Sequence, residues 1–161
     1  MAIKTALTSL LDIEHPILLA PMAGVAGGAL ASAVTRAGGF GIVGGGYGDK
    51  DWLGRQLLDA GNAPVGVGFI TWSLRNTPSL LDLALSHRPK AMFLSFGDID
   101  DFAPAIKRAG IVLIAQVQTV AQARKAVGDG ADVIVAQGPE AGGHGGGRAT
   151  LPLVPAVIDA L

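Results

Sequence analysis

The sequence predicts an α/β fold built around a parallel sheet. Six short apolar runs recur along the 161 residues, and their starts lie roughly 21–26 residues apart, enough for a strand, a helix and two short loops. The runs are almost wholly apolar rather than alternating, as expected for strands covered on both faces. Such a succession of βα units is typical of an open doubly wound sheet or of a (β/α)8 barrel.

The predicted strands and helices alternate along the chain. The strands are Ile17–Ala20, Gly41–Gly44, Val65–Ile70, Ala91–Phe96, Val112–Val117 and Val133–Ala136. Apolar residues spaced three and four apart predict helices over 30–37, 53–60 and 120–127, and a last apolar helix begins near Pro152.

Local signals at the helix ends agree with this assignment. Thr77 followed by Pro78 suits a cap and a first helical position, and Thr119 with Gln122 fits a capping box. Glycine often ends a helix because it adopts the left-handed conformation without steric cost. The glycines placed to do so are Gly38, Gly61, Gly110 and Gly128.

The amino-acid composition excludes several classes of structure and function. Half of the residues are hydrophobic and 16% are charged, which argues against disorder. The net charge is −1 and no Lys or Arg cluster occurs, so we expect no nucleic-acid partner. The absence of cysteine excludes disulfides, zinc–thiolate sites and cysteine nucleophiles. Prolines interrupt the uncharged stretch 16–35, so we expect no membrane span, and we expect one cytoplasmic domain over residues 1–161.

Ligand-binding groups of either architecture collect past the carboxyl ends of the strands. In this sequence those ends carry glycine and uncharged hydrogen-bonding side chains, among them Gln116, Gln118 and Gln137. Paired carboxylates, a metal-ligand cluster and a Walker loop are missing from the sequence. Such an edge suits a flat, polar and largely uncharged ligand, because glutamine amides both donate and accept hydrogen bonds. The isoalloxazine ring of a flavin is such a ligand.

Two stretches resemble the nitronate monooxygenase family, formerly called the 2-nitropropane dioxygenases. They are PILLAPMAGVAGGALASAVTRAGGFGIVGGG at residues 16–46 and VIVAQGPEAGGHGG at residues 133–146. The likeness runs over essentially the whole chain. It implies a (β/α)8 barrel of the TIM type that binds FMN and oxidises alkyl nitronates, and with them nitroalkanes, by means of oxygen to a carbonyl compound and nitrite.

An alternative comes from related FMN-dependent enoyl-acyl-carrier-protein reductases, which use NADH. They carry a similar A-P-M-A-G and a similar E-A-G-G-H. They more often have an acidic residue where Gln137 stands in this sequence, and the glutamine therefore favours the oxygenase.

The resemblance implies a set of cofactor-binding residues. They are Ala20, Pro21, Met22, Gln118, Gln137, Gly142 and Gly143. The first three form the turn against which the flavin ring would lie. Gln118 matches a ring-contacting position after the fifth predicted strand, and the residues of the last loop would hold the cofactor through side chain and backbone.

His144 matches the catalytic histidine of the family. By the resemblance it takes a proton from the carbon next to a nitro group, or orients a nitronate that is already an anion. An unperturbed imidazole has a pKa of about 6.5 and is therefore a usable base near neutral pH. The alternative is an exposed loop histidine without a function.

Other residues also have structural explanations. Met22 could be part of the core, and Gly44–Gly46 could be only a flexible turn. We expect Trp52 and Trp72 to be packing residues. We expect Glu140 to be solvated or to cap a helix, since no carboxylate nearby pairs with it.

The chain is shorter than a complete barrel of this family. A (β/α)8 barrel takes about 250 residues, whereas six βα units fill this chain. The resemblance places the A-G-G-I and G-T-R-F motifs, which hold the FMN phosphate, in the two missing units. We therefore expect a fragment or truncated flavoenzyme that is poorly stable alone, self-associates and retains FMN weakly. A non-catalytic remnant of the fold is a further alternative.

Overall fold

The computed structural model describes residues 3–161 and has a parallel sheet at its centre. Within that range the sheet has five strands: β1 (Ile42–Gly44), β2 (Gly66–Ile70), β3 (Ala91–Ser95), β4 (Val112–Val117) and β5 (Val133–Ala136). Their order in the sheet is their order in the sequence, and every pair is parallel. A doubly wound sheet reverses its strand order at a switch point, whereas a barrel does not. The topology is therefore that of a partial (β/α)8 barrel, as predicted.

Helices alternate with the strands and cover the outer face of the sheet, except for the first helix, which packs against the inner face. They are α1 (Ala6–Leu11), α2 (Gly28–Arg36), α3 (Lys50–Asp59), α4 (Thr71–Asn76), α5 (Ser79–Ser86), α6 (Ala103–Arg108), α7 (Val120–Gly128) and α8 (Thr150–Ile158). The longest of these has ten residues, well short of the roughly 20 that a bilayer requires. No helix within residues 3–161 could therefore cross a membrane.

The two faces of the sheet have separate apolar cores. On the outer face, Met92 and Leu94 of β3 pack with helix residues such as Leu80 and Ile106. On the inner face, Phe93 packs with Ile42, Ile114 and Leu11 of α1. Successive residues of a strand point to opposite faces, and in a barrel one of these faces is the interior. The inner core therefore corresponds to the lower part of a barrel interior.

The strand predictions hold best at the end of the chain and worst at its start. The bounds of β4 and β5 are those predicted, whereas β3 stops at Ser95 because Phe96 has a φ of 59°. The prediction of a strand over Ile17–Ala20 is wrong, because the segment forms only an isolated parallel bridge between Leu18 and Phe40. Prolines flank this segment at 16 and 21, and a proline has no N–H to extend a ladder.

The helix-end predictions have mixed outcomes. The capping box of Thr119 and Gln122 is confirmed at the start of α7. The cap assigned to Thr77 is wrong, because Thr77 ends α4 and the N-cap of α5 is Pro78. The predicted helix stops at Gly38, Gly61 and Gly110 are confirmed, since each has a positive φ two residues after the last residue of a helix. Gly128 is the last residue of α7, as predicted, although the positive φ that follows this helix is at Gly130.

Candidate functional site

A cavity of about 580 Å³ opens on the inner face of the sheet, at the carboxyl ends of the strands. This volume lies within the range of about 300–1,000 Å³ usual for ligand sites. Its floor is apolar and includes Leu18, Phe93 and Val135, and its rim includes Tyr47 and Thr150. Of the predicted site residues, those that line it are Ala20, Pro21, Met22, Gln137, Gly142, Gly143 and His144.

One wall of the cavity is the turn around Pro21 and Met22, which glycines of the sheet allow to lie close. A Cβ at Gly44 would stand 2.6 Å from the carbonyl oxygen of Met22, and one at Gly68 would collide with the Pro21 ring. The Gly44 N–H donates to the Ala26 carbonyl at 2.8 Å. Gly44 is buried, so the glycine run begins as a packed element rather than as a free turn. Met22 is 40% exposed and is not a core residue.

The opposite wall is a cluster of three glutamines, defined here as Gln116, Gln118 and Gln137. The Nε2 atoms of Gln116 and Gln118 both donate to Oε1 of Gln137, at 2.6 and 2.8 Å. Gln118 also donates to the carbonyl of His144 at 2.6 Å. The glutamine cluster therefore ties the ends of β4 and β5 to the loop that carries His144.

The structure changes the predicted roles of two of these glutamines. Gln118 does not line the cavity, and it supports Gln137 and the loop from behind. Gln116 does line it and was not among the predicted site residues. Its position two residues after Ile114, which packs in the inner core, would have indicated an inward side chain once the inner face was known.

His144 is exposed and lines the cavity. Its ring lies edge-on to the ring of Phe96, with 5.2 Å between the ring centroids. Phe96 follows β3 with a φ of 59°, in the left-handed region that costs a side-chain-bearing residue roughly 1–2 kcal/mol. This conformation orients the Phe96 ring towards His144. Among the described residues, no hydrogen bond involves a ring nitrogen of His144.

Glu140 anchors the other end of the same loop. Its carboxylate accepts hydrogen bonds from the Thr150 N–H, at 3.0 and 3.1 Å, and from the Thr150 hydroxyl at 2.8 Å. Its own backbone N–H and then these Thr150 groups hold the pKa of Glu140 below its ordinary value. Because Thr150 is the first residue of α8, Glu140 acts as a helix cap, as one of the two sequence-based interpretations predicted.

A sequence profile of the nitronate monooxygenase family matches residues 4–67 and 77–161. The nitronate monooxygenase of Neurospora crassa is 34% identical over 92% of this chain, which spans 50% of that relative. A relative from Mycobacterium tuberculosis, named (3aS,4S,5R,7aS)-5-hydroxy-7a-methyl-1-oxo-octahydro-1H-indene-4-carboxyl-CoA dehydrogenase, is 32% identical over 100% of the chain and 46% of the relative.

Two solved structures superpose on nearly the whole chain and share its fold. The structure of FabK from Thermotoga maritima superposes with a TM-score of 0.91 at 32% identity, over 99% of this chain and 52% of that one. Nitroalkane oxidase from Streptomyces ansochromogenes superposes with a TM-score of 0.81 at 26% identity, over 98% and 58% of the two chains. The chain thus spans about half the length of the curated relatives it matches. With the family profile covering nearly all of it, this chain belongs to the nitronate monooxygenase family of flavin-dependent oxidoreductases.

Proposed function

We propose that this chain, as part of a barrel, binds FMN in the inner-face cavity and oxidises alkyl nitronates, and with them nitroalkanes, by means of oxygen. The products are a carbonyl compound and nitrite. The observation that carries the proposal is the convergence of the glutamine cluster, the glycine loop and His144 on one apolar cavity at the carboxyl ends of parallel strands. This is the location of barrel active sites in general.

The residues present fit a flavin ring. The floor is apolar, which suits the flat faces of the ring, and Gln116 and Gln137 bring amide groups to the wall. A Cβ at Gly142 or at Gly143 would meet no atom within 4 Å, so a ligand can approach the backbone there. Within residues 3–161 the N–H groups of these two glycines donate to no other group. Gln137 would orient the ring, and these N–H groups would be donors to its polar edge.

His144 supplies the proton-transfer step of the proposed reaction. With a neutral nitroalkane, the imidazole removes the proton from the carbon next to the nitro group, and the C–H electron pair remains on the substrate as a nitronate. Exposure of His144 allows the proton to pass to solvent afterwards. Phe96 restricts the orientations of the imidazole ring. Bound FMN supplies the electron acceptor that the side chains lack.

A second candidate is an FMN- and NADH-dependent enoyl-acyl-carrier-protein reductase. The relatives named as carboxyl-CoA dehydrogenases favour it, since a CoA ester and an acyl-carrier-protein ester are both thioesters. Gln137 is the residue that separates the two candidates. Its neutral amide is held by two donors, in the place where the reductases more often carry an acid.

An anaerobic flavin-reduction experiment tests the proposal. The chain is loaded with FMN and mixed in separate runs with ethyl nitronate and with NADH. We expect the nitronate to bleach the flavin absorbance and NADH to leave it unchanged, and we expect nitrite after oxygen is admitted. Rapid reduction by NADH alone would support the reductase instead. Absence of flavin from the full gene product purified from cells would support the non-catalytic remnant.

A further inference from the structure

Two exposed aromatic side chains in mutual contact stand at the mouth of the cavity. Tyr47 lines the cavity and is 61% exposed, and Trp72 is 48% exposed. Their ring centroids are 6.1 Å apart and their planes are inclined by 36°. Neither residue is a packing residue of the core, which corrects the expectation for Trp72. We call these two residues the aromatic pair.

Trp72 follows a strand of the sheet directly, whereas Tyr47 lies in the turn between β1 and α3. Helix α4 begins at Thr71, directly after the last residue of β2, so that Trp72 lies in its first turn. The buried Thr71 hydroxyl donates to the Ser95 carbonyl at the end of β3, at 3.1 Å. The backbone at Trp72 is therefore anchored at the carboxyl edge of the sheet, and its ring contacts that of Tyr47.

The charged residues around the aromatic pair indicate which kind of ligand it can bind. Asp49 and Asp51 follow Tyr47 in the sequence, with Lys50 between them. Arg75, one turn after Trp72, is held by the Asp101 carboxylate at 2.7 Å and by the Asp98 carbonyl at 2.9 Å. A nucleotide carrier such as CoA or NADH brings several phosphates, which require free cations near the rings. Arg75 is thus engaged, and Lys50 is flanked in the sequence by two carboxylates, so the surroundings favour an uncharged planar group over a polyphosphate.

We propose that the aromatic pair binds an aromatic group of the substrate, so that the preferred nitronates carry an aryl group on or next to the reacting carbon. This inference rests on the proposed function, because His144 and Tyr47 line the same cavity, and Trp72 contacts Tyr47. Aromatic side chains bind planar apolar groups by stacking and edge-to-face contact. The reacting end of the substrate lies towards His144, and its aryl group lies at the Tyr47 rim.

Tryptophan fluorescence tests binding without turnover. The sequence has two tryptophans, so that the Trp52→Phe chain has Trp72 as its sole reporter. In the FMN-loaded Trp52→Phe chain, benzoate serves as an unreactive planar anion with an aryl group, and acetate serves as its control. We expect benzoate to change the Trp72 emission at concentrations at least tenfold below those of acetate. We expect Tyr47→Ala to remove this difference and Tyr47→Phe to keep it.

Kinetics test the consequence for specificity. We expect Tyr47→Ala and Trp72→Ala each to lower kcat/KM for the nitronate of phenylnitromethane about 3- to 10-fold more than kcat/KM for ethyl nitronate. Leu58→Ala is the matched control, since Leu58 is an exposed apolar residue that does not line the cavity. Circular dichroism of each variant verifies that it folds.

The outcomes separate this proposal from the proposed function. Equal losses on both nitronates, or equal responses to benzoate and acetate, would overturn the aromatic-group proposal while leaving nitronate oxidation intact. Selective benzoate binding without flavin reduction by any nitronate would overturn the proposed reaction and support the aromatic pair as a binding site. If FMN alone perturbs Trp72 and Tyr47→Ala weakens FMN binding, the pair contacts the cofactor and the proposal is wrong.

Discussion

Two sides of the cavity, the Pro21–Met22 wall and the loop after β5, depend on glycine for opposite physical reasons. On the β1 side, Gly44 and Gly68 have no room for a Cβ, because the Pro21–Met22 turn lies against them. In the loop after β5, a Cβ at Gly142 or Gly143 would meet nothing within 4 Å. Glycine on the first wall allows close packing of protein on protein. On the second it leaves backbone accessible to a ligand.

This difference implies that the packed side contributes to stability, whereas the open loop contributes to ligand binding and catalysis. The packed wall gives the site a rigid shape, and we expect substitutions of its glycines to lower the free energy of unfolding. The open loop carries His144 and is held by side chains at two places, the glutamine cluster and the Glu140–Thr150 contact. We expect substitutions in the loop to weaken ligand binding or to slow the reaction, and to leave the fold intact.

The largest expected effect is that of His144→Ala on chemistry. General-base catalysis contributes about 10²–10⁴-fold, so we expect kcat/KM for neutral nitroethane to fall by about that factor. For preformed ethyl nitronate we expect a loss of about tenfold or less, since no proton is removed from carbon. Steady-state assays of both substrates measure this difference. His87→Ala is the control, because His87 is exposed at the end of α5 and does not line the cavity. Equal losses on both substrates would exclude proton abstraction.

Gly44→Ala is expected to have the largest effect on stability. The new methyl would meet backbone atoms of Met22, which no rotamer change can move, and we expect a loss of about 2–3 kcal/mol in the free energy of unfolding. Gly142→Ala is the matched substitution in the open loop, and we expect a change below about 0.5 kcal/mol. Urea denaturation of both variants measures the contrast. Equal destabilisation would show that the two walls do not differ as described.

Gln137→Leu tests whether the glutamine cluster serves the ligand. Loss of its Oε1 leaves two amide donors, those of Gln116 and Gln118, without their acceptor. We expect FMN affinity to fall about tenfold, as for one or two lost hydrogen bonds. Gln137→Glu keeps an acceptor for both amides and is the control for these two hydrogen bonds, although it adds a charge and loses the Nε2 donor to the Gly142 carbonyl. Fluorescence titration of FMN measures both variants, and an unchanged affinity in Gln137→Leu would remove Gln137 from the cofactor site.

The sequence was informative wherever one physical signal dominated. β4 and β5 were predicted with their observed bounds, because each is a short and almost wholly apolar run. The same feature hid the role of Gln116, since an apolar run does not reveal which of its faces is the interior. Two helices were missed: α1 has six residues and a capping box formed by Thr5 and Thr8, and α4 starts directly after β2 without a side-chain cap.

The arrangement of the site was less predictable than its location. Placement of the polar loops at the carboxyl ends of the strands followed from the βα pattern. The contact between Phe96 and His144 could not be predicted, because it requires a left-handed φ at a phenylalanine. Nor could the Tyr47–Trp72 contact be predicted, since it joins segments that follow two different strands.

The smallest expected effect is that of pH on the loop anchor at Glu140. The folded pKa of Glu140 lies below its ordinary value of 4.5, so that the ionised form stabilises the fold above that pH. This contribution is lost as the pH falls through the lower folded pKa. We therefore expect Glu140→Gln to lower the thermal midpoint slightly at neutral pH, with a difference from the unaltered chain that shrinks below about pH 4.5. Asp59→Asn, at the exposed end of α3, is the control. A difference that is constant from neutral to acidic pH would show that the charge of Glu140 does not anchor the loop.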